Sequence, residues 1–336
     1  MEHSSSNDSD TWPLVPTVEA VVPSWNGASI LHYALDSLAR QDYPKLSVTL
    51  VDNGSDDDTV RIVGERWPTV RVLRLPKNTG FAYATNYGIA RSSADLLALI
   101  NNDVELDPSW VSEMVETLNH HPMAGSATGR MLRWHNRTTI DNIGLVCHWD
   151  GSCGPLAAGL DDDGTYDHPR TVFGACAGAG VYRRTAFELV GNFDETFVTY
   201  VEDVDWSFRA QQLRLECRYV PSALSYHLGS STGTRLGARK FYLYVKNSCT
   251  LILKNWPAWA LAKYWQSIFW RLGSLARRSV REDHVLTYCA AILHVLRSLP
   301  DTRRQRRVIQ RSATATQSEL IAVVEPERRF RHQQSK

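Results

Sequence analysis

Between Val18 and Leu118, apolar runs of strand length alternate four times with segments of helical periodicity. That alternation restricts the fold more than any other feature. Parallel strands cannot be joined by tight turns, and each needs a crossover, usually a helix. The pattern therefore predicts an open α/β fold whose mostly parallel central sheet is flanked by helices, with right-handed crossovers. Strands are predicted at 18–22, 46–51, 70–75 and 96–100. The last of these, Leu96 to Ile100, is continuously apolar, as expected of a strand buried on both faces. In such sheets ligands bind beyond the carboxyl ends of the strands.

The residues at those ends carry the chemistry. Asn101, Asn102 and Asp103 follow the buried strand directly. A carboxylate there, with amides beside it, suits a hard divalent cation that keeps waters and bridges phosphate oxygens; a strand-end Asp that only caps a loop is the alternative. Asp107 and Pro108 then read as the N-cap and first residue of a helix carrying Trp110, Val111, Met114, Val115 and Leu118. The first strand ends in Pro23-Ser24-Trp25-Asn26-Gly27. The second ends in Asp52, within an Asp-Asn-Gly-Ser turn; its carboxylate can accept from a pyrimidine ring N–H or a ribose hydroxyl. Asn78-Thr79-Gly80, at a helix start, offers backbone N–H groups for phosphate or sugar oxygens. Neither GxxxxGK(S/T) nor GxGxxG occurs there, which argues against a P-loop NTPase and a dinucleotide-binding dehydrogenase.

From Met131 to His168 the pattern loosens into a Gly-, Asp- and His-rich excursion over the sheet. Order returns with a small-residue stretch, 171–181, and a short helix that Thr185 caps and Gly191 closes. Glu202, Asp203 and Asp205 then crowd a helix start. Three such carboxylates repel, so one should hold its proton unless a metal or Arg209 offsets the charge. A helix N-terminus decorated with acids is an equal reading. Arg218–Val220 reads as a strand leading through Pro221 to a Ser/Gly loop. There His227 could reach a metal through one ring nitrogen.

A formal net charge of +1 argues against a dedicated nucleic-acid binder. The 6 cysteines form no CxxC pair and read as reduced packing residues of a cytoplasmic protein. The polar N-terminus, 1–16, reads as disordered and lacks the features of a signal peptide. Toward the C-terminus, Trp256, Trp259, Trp265 and Trp270 interleave with Lys254, Lys263, Arg271, Arg277 and Arg278. That composition fits an interfacial helix on anionic lipid and equally a helical appendage packed on the main domain. A further helix is expected from Asp283 to Leu299, and a loosely ordered basic and polar tail from Asp301.

Taken together, VVPSWNG, VDNGSDDDT, NTGFAYATNYG, LINNDVELDPSW, VGNFDETFVTYVEDVDWSFR and VPSALSYHLGSS come in a familiar order from Val18 to Ser231. The chain resembles family 2 inverting glycosyltransferases of the GT-A fold, in the rhamnosyltransferase-like branch of cell-surface polysaccharide assembly. The resemblance implies a GT-A domain over 17–240, a helical, membrane-surface appendage over 241–300 and a tail over 301–336. It implies a nucleotide-sugar site at Ser24, Asn26, Asp52, Asn78, Gly80, Asn101 and Asn102. It implies an Mg²⁺ or Mn²⁺ site at Asp103 and His227, with Asp203 of the Glu202-Asp203 pair as catalytic base. Asn101 stands where many relatives have a first Asp, leaving one carboxylate fewer for the metal. The implied partners are a nucleotide-sugar donor, a glycan or polyprenyl-linked acceptor and an anionic membrane surface on its cytoplasmic side. Two other classes fit the topology: a sugar-nucleotide nucleotidyltransferase, and a non-catalytic carbohydrate-binding or scaffold protein. The first would carry a basic Gly-rich loop after the first strand, and VVPSWNG has no basic residue.

Overall fold

A computed structural model describes residues 15–229 and 237–324. Among the described residues the main sheet has ten strands. Its parallel half consists of β1 (Val18–Ser24), β2 (Leu46–Asp52), β3 (Arg71–Arg74) and β4 (Leu96–Ile100), in spatial order β3-β2-β1-β4. The crossovers are α1 (Leu31–Ala39), α2 (Thr59–Arg66) and α3 (Phe81–Ile89). Side chains alternate between faces, as the pleat requires. Ala20, Val22, Leu96, Ala98 and Ile100 pack with Leu31, Leu35 and Leu38 of α1. Val21, Leu97 and Leu99 pack on the other face with Ala82 and Ile89 of α3. Both faces being covered explains the unbroken apolar run of β4.

After β4 the chain makes a short strand, β5 (Val104–Leu106), before entering α4 (Trp110–His120). The helix thus starts later than the expected Asp107–Pro108 boundary. Ser109 is its N-cap, and Asp107 instead accepts from the Ser109 N–H and hydroxyl in a local turn. The excursion from Met131 is also more regular than expected. Strand β6 (Ala124–Arg133) turns into β7 (Asn136–Asn142), and β8 (Leu145–Cys147) pairs with β9 (Cys153–Pro155). Strand β10 (Arg170–Val172) pairs with β12 (Glu216–His227), and β11 (Ala179–Arg183) runs antiparallel between β4 and β6. The strand expected at Arg218–Val220 is the start of the twelve-residue β12, which absorbs Pro221 at a register shift between Val220 and Leu224. His227 therefore ends a strand rather than sitting in the loop beyond it.

Helix α5 (Arg184–Val190) is capped by Arg183, not Thr185, and ends at Gly191 with φ 84°. Helix α6 (Glu202–Gln212) follows. The C-terminal part is more ordered than its composition indicated. Helices α7 (Ala238–Asn255), α8 (Ala258–Arg281) and α9 (Val285–Ser312) are long, and α9 continues through Pro300. Arg306 and Gln310 of α9 donate to the carbonyls of Leu253 and Asn255, which holds the basic segment on α7. Helix α10 (Gln317–Val323) opens with a capping box between Thr316 and Glu319, and buries Leu320. The expectation of a loose tail from Asp301 is therefore corrected up to Val324, and the remainder lies outside the described residues, as do residues 1–14 of the N-terminal segment.

The aromatic residues of this region divide. Trp256 is fully buried, with its ring 5.8 Å from Trp149 and stacked 4.7 Å from Phe208 of α6. Trp265, Phe269 and Trp270 are 60 to 67% exposed. Lys254 does not line a surface either. It is buried, and pairs with Asp194 at 2.6 Å and Asp205 at 3.0 Å. Removing one partner of a buried ion pair leaves the other charge uncompensated. Lys254→Ala should therefore lower the unfolding free energy by about 3 to 5 kcal/mol. A denaturant titration checks this, and a loss below about 1 kcal/mol would show that the pair adds nothing beyond a surface bridge.

Candidate functional site

Strand register brings the sequence-identified residues to one edge. Ser24 of β1 lies beside Asp52 of β2. Asn101, Asn102 and Asp103 link β4 to β5, and Val104 of β5 lies opposite His227 of β12. The Asn102 amide donates to Ser24 Oγ at 2.9 Å. Gly27 fits beneath this pair because a Cβ there would stand 2.2 Å from Ser24 Oγ. Asn101 N–H donates to the Gly178 carbonyl at 2.8 Å, which ties the end of β4 to the segment entering β11.

Asp103 and His227 meet at 3.4 Å, through Nε2, while Nδ1 of His227 faces Asp141 of β7 at 2.9 Å. Burial works against a charged imidazole, but hydrogen bonds to Asp103 and Asp141 outweigh it and push His227 up to about 10. The protonated ring has no lone pair to give at Nε2, so a hard cation would bind here by displacing that proton and meeting the Asp103 carboxylate and the freed Nε2. Asp141 orients the ring and leaves Nε2 aimed at the Asp103 carboxylate, as outer partners of metal-binding histidines do. Among the described residues, no group of three or more His, Cys, Asp or Glu forms a closed cage. Two protein ligands would leave the other positions to water and phosphate oxygens, the usual situation for Mg²⁺.

Asp52 is fully buried. Its Oδ1 accepts from the Ser55 N–H, while Oδ2 accepts no hydrogen bond, although Arg74 Nε lies 3.3 Å away. An orphaned buried carboxylate oxygen is costly unless a ligand or water reaches it. Asn26, at φ 51°, holds the turn: its N–H donates to Ser55 Oγ and its Oδ1 accepts from Asp56 N–H. The Asn78–Gly80 loop differs from expectation. The Thr79 N–H donates to Asn53 Oδ1 and the Gly80 N–H to Asn78 Oδ1, so these groups are spent on neighbouring side chains and are not free for phosphate. Gly80 itself, at φ 90°, lets the loop approach Val198, where a Cβ would lie 2.5 Å from a side-chain methyl.

The three acids of α6 have different fates. Asp205 is the one that Arg209 offsets, and Lys254 and Asn255 join it. Glu202 is buried, with Oε2 lacking a partner, and burial followed by the charge of Asp203 pushes it up to about 8. Asp203 is partly exposed and accepts from the N–H groups of Ala177 and Val204, yet burial still raises it. The pair thus resists carrying two negative charges, and the reachable member is Asp203. The loop before them is strained: Val198, Tyr200 and Val201 all have φ between 67° and 75°. Asn247 of α7 holds it by donating to the carbonyls of Phe197, Thr199 and Tyr200 at 3.0, 3.0 and 2.7 Å, and Lys246 donates to that of Thr196. Asp141, Arg74, Asn53, Lys246 and Asn247 escaped the sequence reading. All act across separations that no local pattern reveals.

Glu202 also makes a stability prediction. A carboxyl raised in the folded state keeps its proton there while the unfolded chain loses it, so stability falls as pH rises from about 4.5 toward 8. Glu202→Gln should remove that fall. Compared at pH 5 and pH 8, the wild-type urea midpoint should drop more than the variant's, by the equivalent of about 1 to 4 kcal/mol; parallel pH dependence would refute it.

Comparison with known proteins completes the description. The chain is 30% identical over 217 residues to the O-antigen biosynthesis protein RfbC of Myxococcus xanthus, covering 60% of this chain but only 16% of that protein. It is 27% identical over 293 residues to the N-acetylglucosaminyl-diphospho-decaprenol L-rhamnosyltransferase of Mycobacterium tuberculosis, covering 79% and 92%. Among solved structures it resembles S. aureus TarS 1-349 in complex with UDP-GlcNAc, with a TM-score of 0.58, 15% identity and coverage of 88% and 87%. It also resembles the Pyrobaculum calidifontis mannosyltransferase PcManGT, solved with GDP-Man and Mn²⁺, with a TM-score of 0.55, 16% identity and coverage of 95% and 84%. These structural likenesses establish the GT-A fold. Residues 19–191 match the family described as glycosyl transferase family 2, and the chain belongs to that family of sugar-transferring enzymes.

Proposed function

We propose that this glycosyltransferase moves one sugar from a nucleoside diphosphate to a saccharide hydroxyl on a polyprenyl diphosphate, in cell-surface polysaccharide synthesis. The observation that carries the reading is the reachable, burial-raised Asp203, which accepts from the Ala177 N–H beside Gly178, the residue that receives the Asn101 N–H at the end of β4, where Asp103 meets His227. Asp203 takes the proton of the acceptor hydroxyl as its oxygen attacks the anomeric carbon. The bond from that carbon to the diphosphate breaks, and the nucleoside diphosphate leaves with the electron pair. A single in-line displacement inverts the centre. Asp103 and His227, once its Nε2 proton is displaced, would hold a divalent cation, with Asp141 orienting the imidazole; when bound, that cation would neutralise charge gathering on the leaving diphosphate. Asp52 receives a nucleoside donor group at its unpartnered oxygen. Ser24, Asn26, Asn78, Gly80, Asn101 and Asn102 shape the donor site through their mutual contacts. Rhamnose, which the mycobacterial relative's name specifies, is the first donor sugar to test.

The glycosyltransferase domain read over 17–240 is completed by α7, which packs on α6, and the helices that follow carry a lipid-facing side. No helix among the described residues is long and apolar enough to cross a membrane. Helix α8 exposes Trp265, Phe269 and Trp270, and carries Lys263, Arg271, Arg277, Arg278 and Arg281 without an acidic residue. Aromatic and basic residues together favour the headgroup region of an anionic leaflet. This supports peripheral docking on the cytoplasmic face, where a polyprenyl-linked acceptor would be met.

Nucleoside diphosphate release should be followed with a panel of nucleotide-sugars and a lipid-linked GlcNAc acceptor. Asp203→Asn should bind donor normally and lose about 10²–10⁴ in rate; a near-wild-type rate would remove Asp203 from the chemistry. Asp103→Ala should weaken donor binding in Mg²⁺ or Mn²⁺ but not in EDTA, and an unchanged metal titration would refute its assignment. For docking, wild-type protein should float with phosphatidylglycerol-containing vesicles at low salt. Replacing Trp265, Phe269 and Trp270 by Ser should abolish this, and flotation of the triple variant would locate the contact elsewhere.

A further inference from the structure

Helix α7 turns one face toward the loop that leads to the proposed base. Lys240, Tyr244 and Asn247 lie at i, i+4 and i+7 and share that face. Lys240 Nζ sits 5.6 Å over the ring of Tyr200, two residues before Glu202. Asn247 holds the Tyr200 carbonyl at 2.7 Å. Between them, Tyr244 accepts a 2.6 Å hydrogen bond from Arg271 Nη2 of α8. Arg271 is half-buried and has no acidic partner among the described residues, and its Nε is buried without any hydrogen-bond partner. Arg278, two turns further along α8, lies 5.8 Å over Phe241 of α7.

A guanidinium half-removed from water and held on Tyr244 of α7, with a donor left over, is an expensive arrangement for a purely structural residue. It is what recognition of a phosphate requires: planar donors in a fixed fork, with a hydroxyl and a second cation nearby. We infer that Arg271, Tyr244 and Lys240 form a phosphate-recognition site between α7 and α8, which binds the acceptor's diphosphate while its sugar hydroxyl faces Asp203. This rests on the glycosyl-transfer reading for its purpose, but the anion site can be measured without it. Arg271 and Tyr244 act in binding, and neither takes part in the proton transfer. The exposed Trp265, Phe269 and Trp270 on the same helix suit the apolar chain that would follow the diphosphate.

The full chain should be assayed with two soluble acceptors, a short-chain alkyl-diphospho-GlcNAc and an octyl GlcNAc glycoside without phosphate. A hydrogen bond to a charged group typically accounts for about ten- to a hundredfold in affinity. Arg271→Gln should therefore raise KM for the diphosphate acceptor by about ten- to a hundredfold and that for the octyl glycoside less than twofold. Arg271→Lys should recover part of the loss, and Tyr244→Phe should cause a smaller shift in the same direction. Equal shifts for both acceptors, or none, overturn the inference. Calorimetry with inorganic pyrophosphate in EDTA tests the site apart from catalysis: weaker binding by Arg271→Gln supports it even if no donor turns over. Equal pyrophosphate affinity in both proteins overturns it. Loss of flotation on phosphatidylglycerol vesicles by Arg271→Gln, with an unchanged diphosphate-acceptor KM, would assign the guanidinium to lipid headgroups and overturn it too.

Discussion

The fully buried carboxylate of Asp205 organises the back of the catalytic helix. It receives Arg209 from its own helix, and Lys254 and Asn255 from α7, all at 2.8 to 3.0 Å. Lys254 in turn holds Asp194, just before the loop that leads to Asp203. The cost of breaking a buried ion pair so matched locks α7 to α6. With Asp205 neutralised by this group, the repulsion among the three acids is left to Glu202 and Asp203. Burial then raises both, which is the condition for a base that accepts a proton without being permanently ionised.

The front of the site is assembled by register rather than by sequence proximity. Parallel strands deliver Ser24, Asp52 and Asp103 to one edge because each ends at the same level of the sheet. The antiparallel additions β5 and β12 then bring His227 from more than a hundred residues away to Asp103. Helix α7 supplies the last restraint, since Asn247 satisfies three carbonyls of a loop whose backbone lies in a region that valine and tyrosine seldom adopt. Without those donors the loop would have little reason to hold that shape.

The parts legible in the sequence were those with local periodicity or strand-end placement. The β1–β4 half, both covered faces and the positions of Asp52 and Asp103 follow from patterns within a few dozen residues. Asp141 could not be read that way. It faces His227 only because β7 folds back on β6, and nothing near it in the chain marks that pairing. Composition misled at the C-terminus for a similar reason. Lys254 and Trp256 resemble their neighbours Lys263 and Trp265 in type, but the first pair is buried against α6 and the second is exposed. Pro300 and the arginines after it suggested an end to helical order, whereas bonds from Arg306 and Gln310 to α7 carry the helix onward.

Conserved pattern and cooperative unit thus have different boundaries in this chain. The match to the family model stops at residue 191, ahead of Asp203, the base we propose. The core around Trp149 and Phe208 draws on Trp256 and Ala260 from α7 and α8, and reaches Leu320 and Val324 at the far end of the described chain. Any recombination between relatives that exchanged donor-binding halves at the pattern's edge would cut through one packed body. The folded module is therefore larger than its signature, and the C-terminal helices are constrained by the helix α6 that they support.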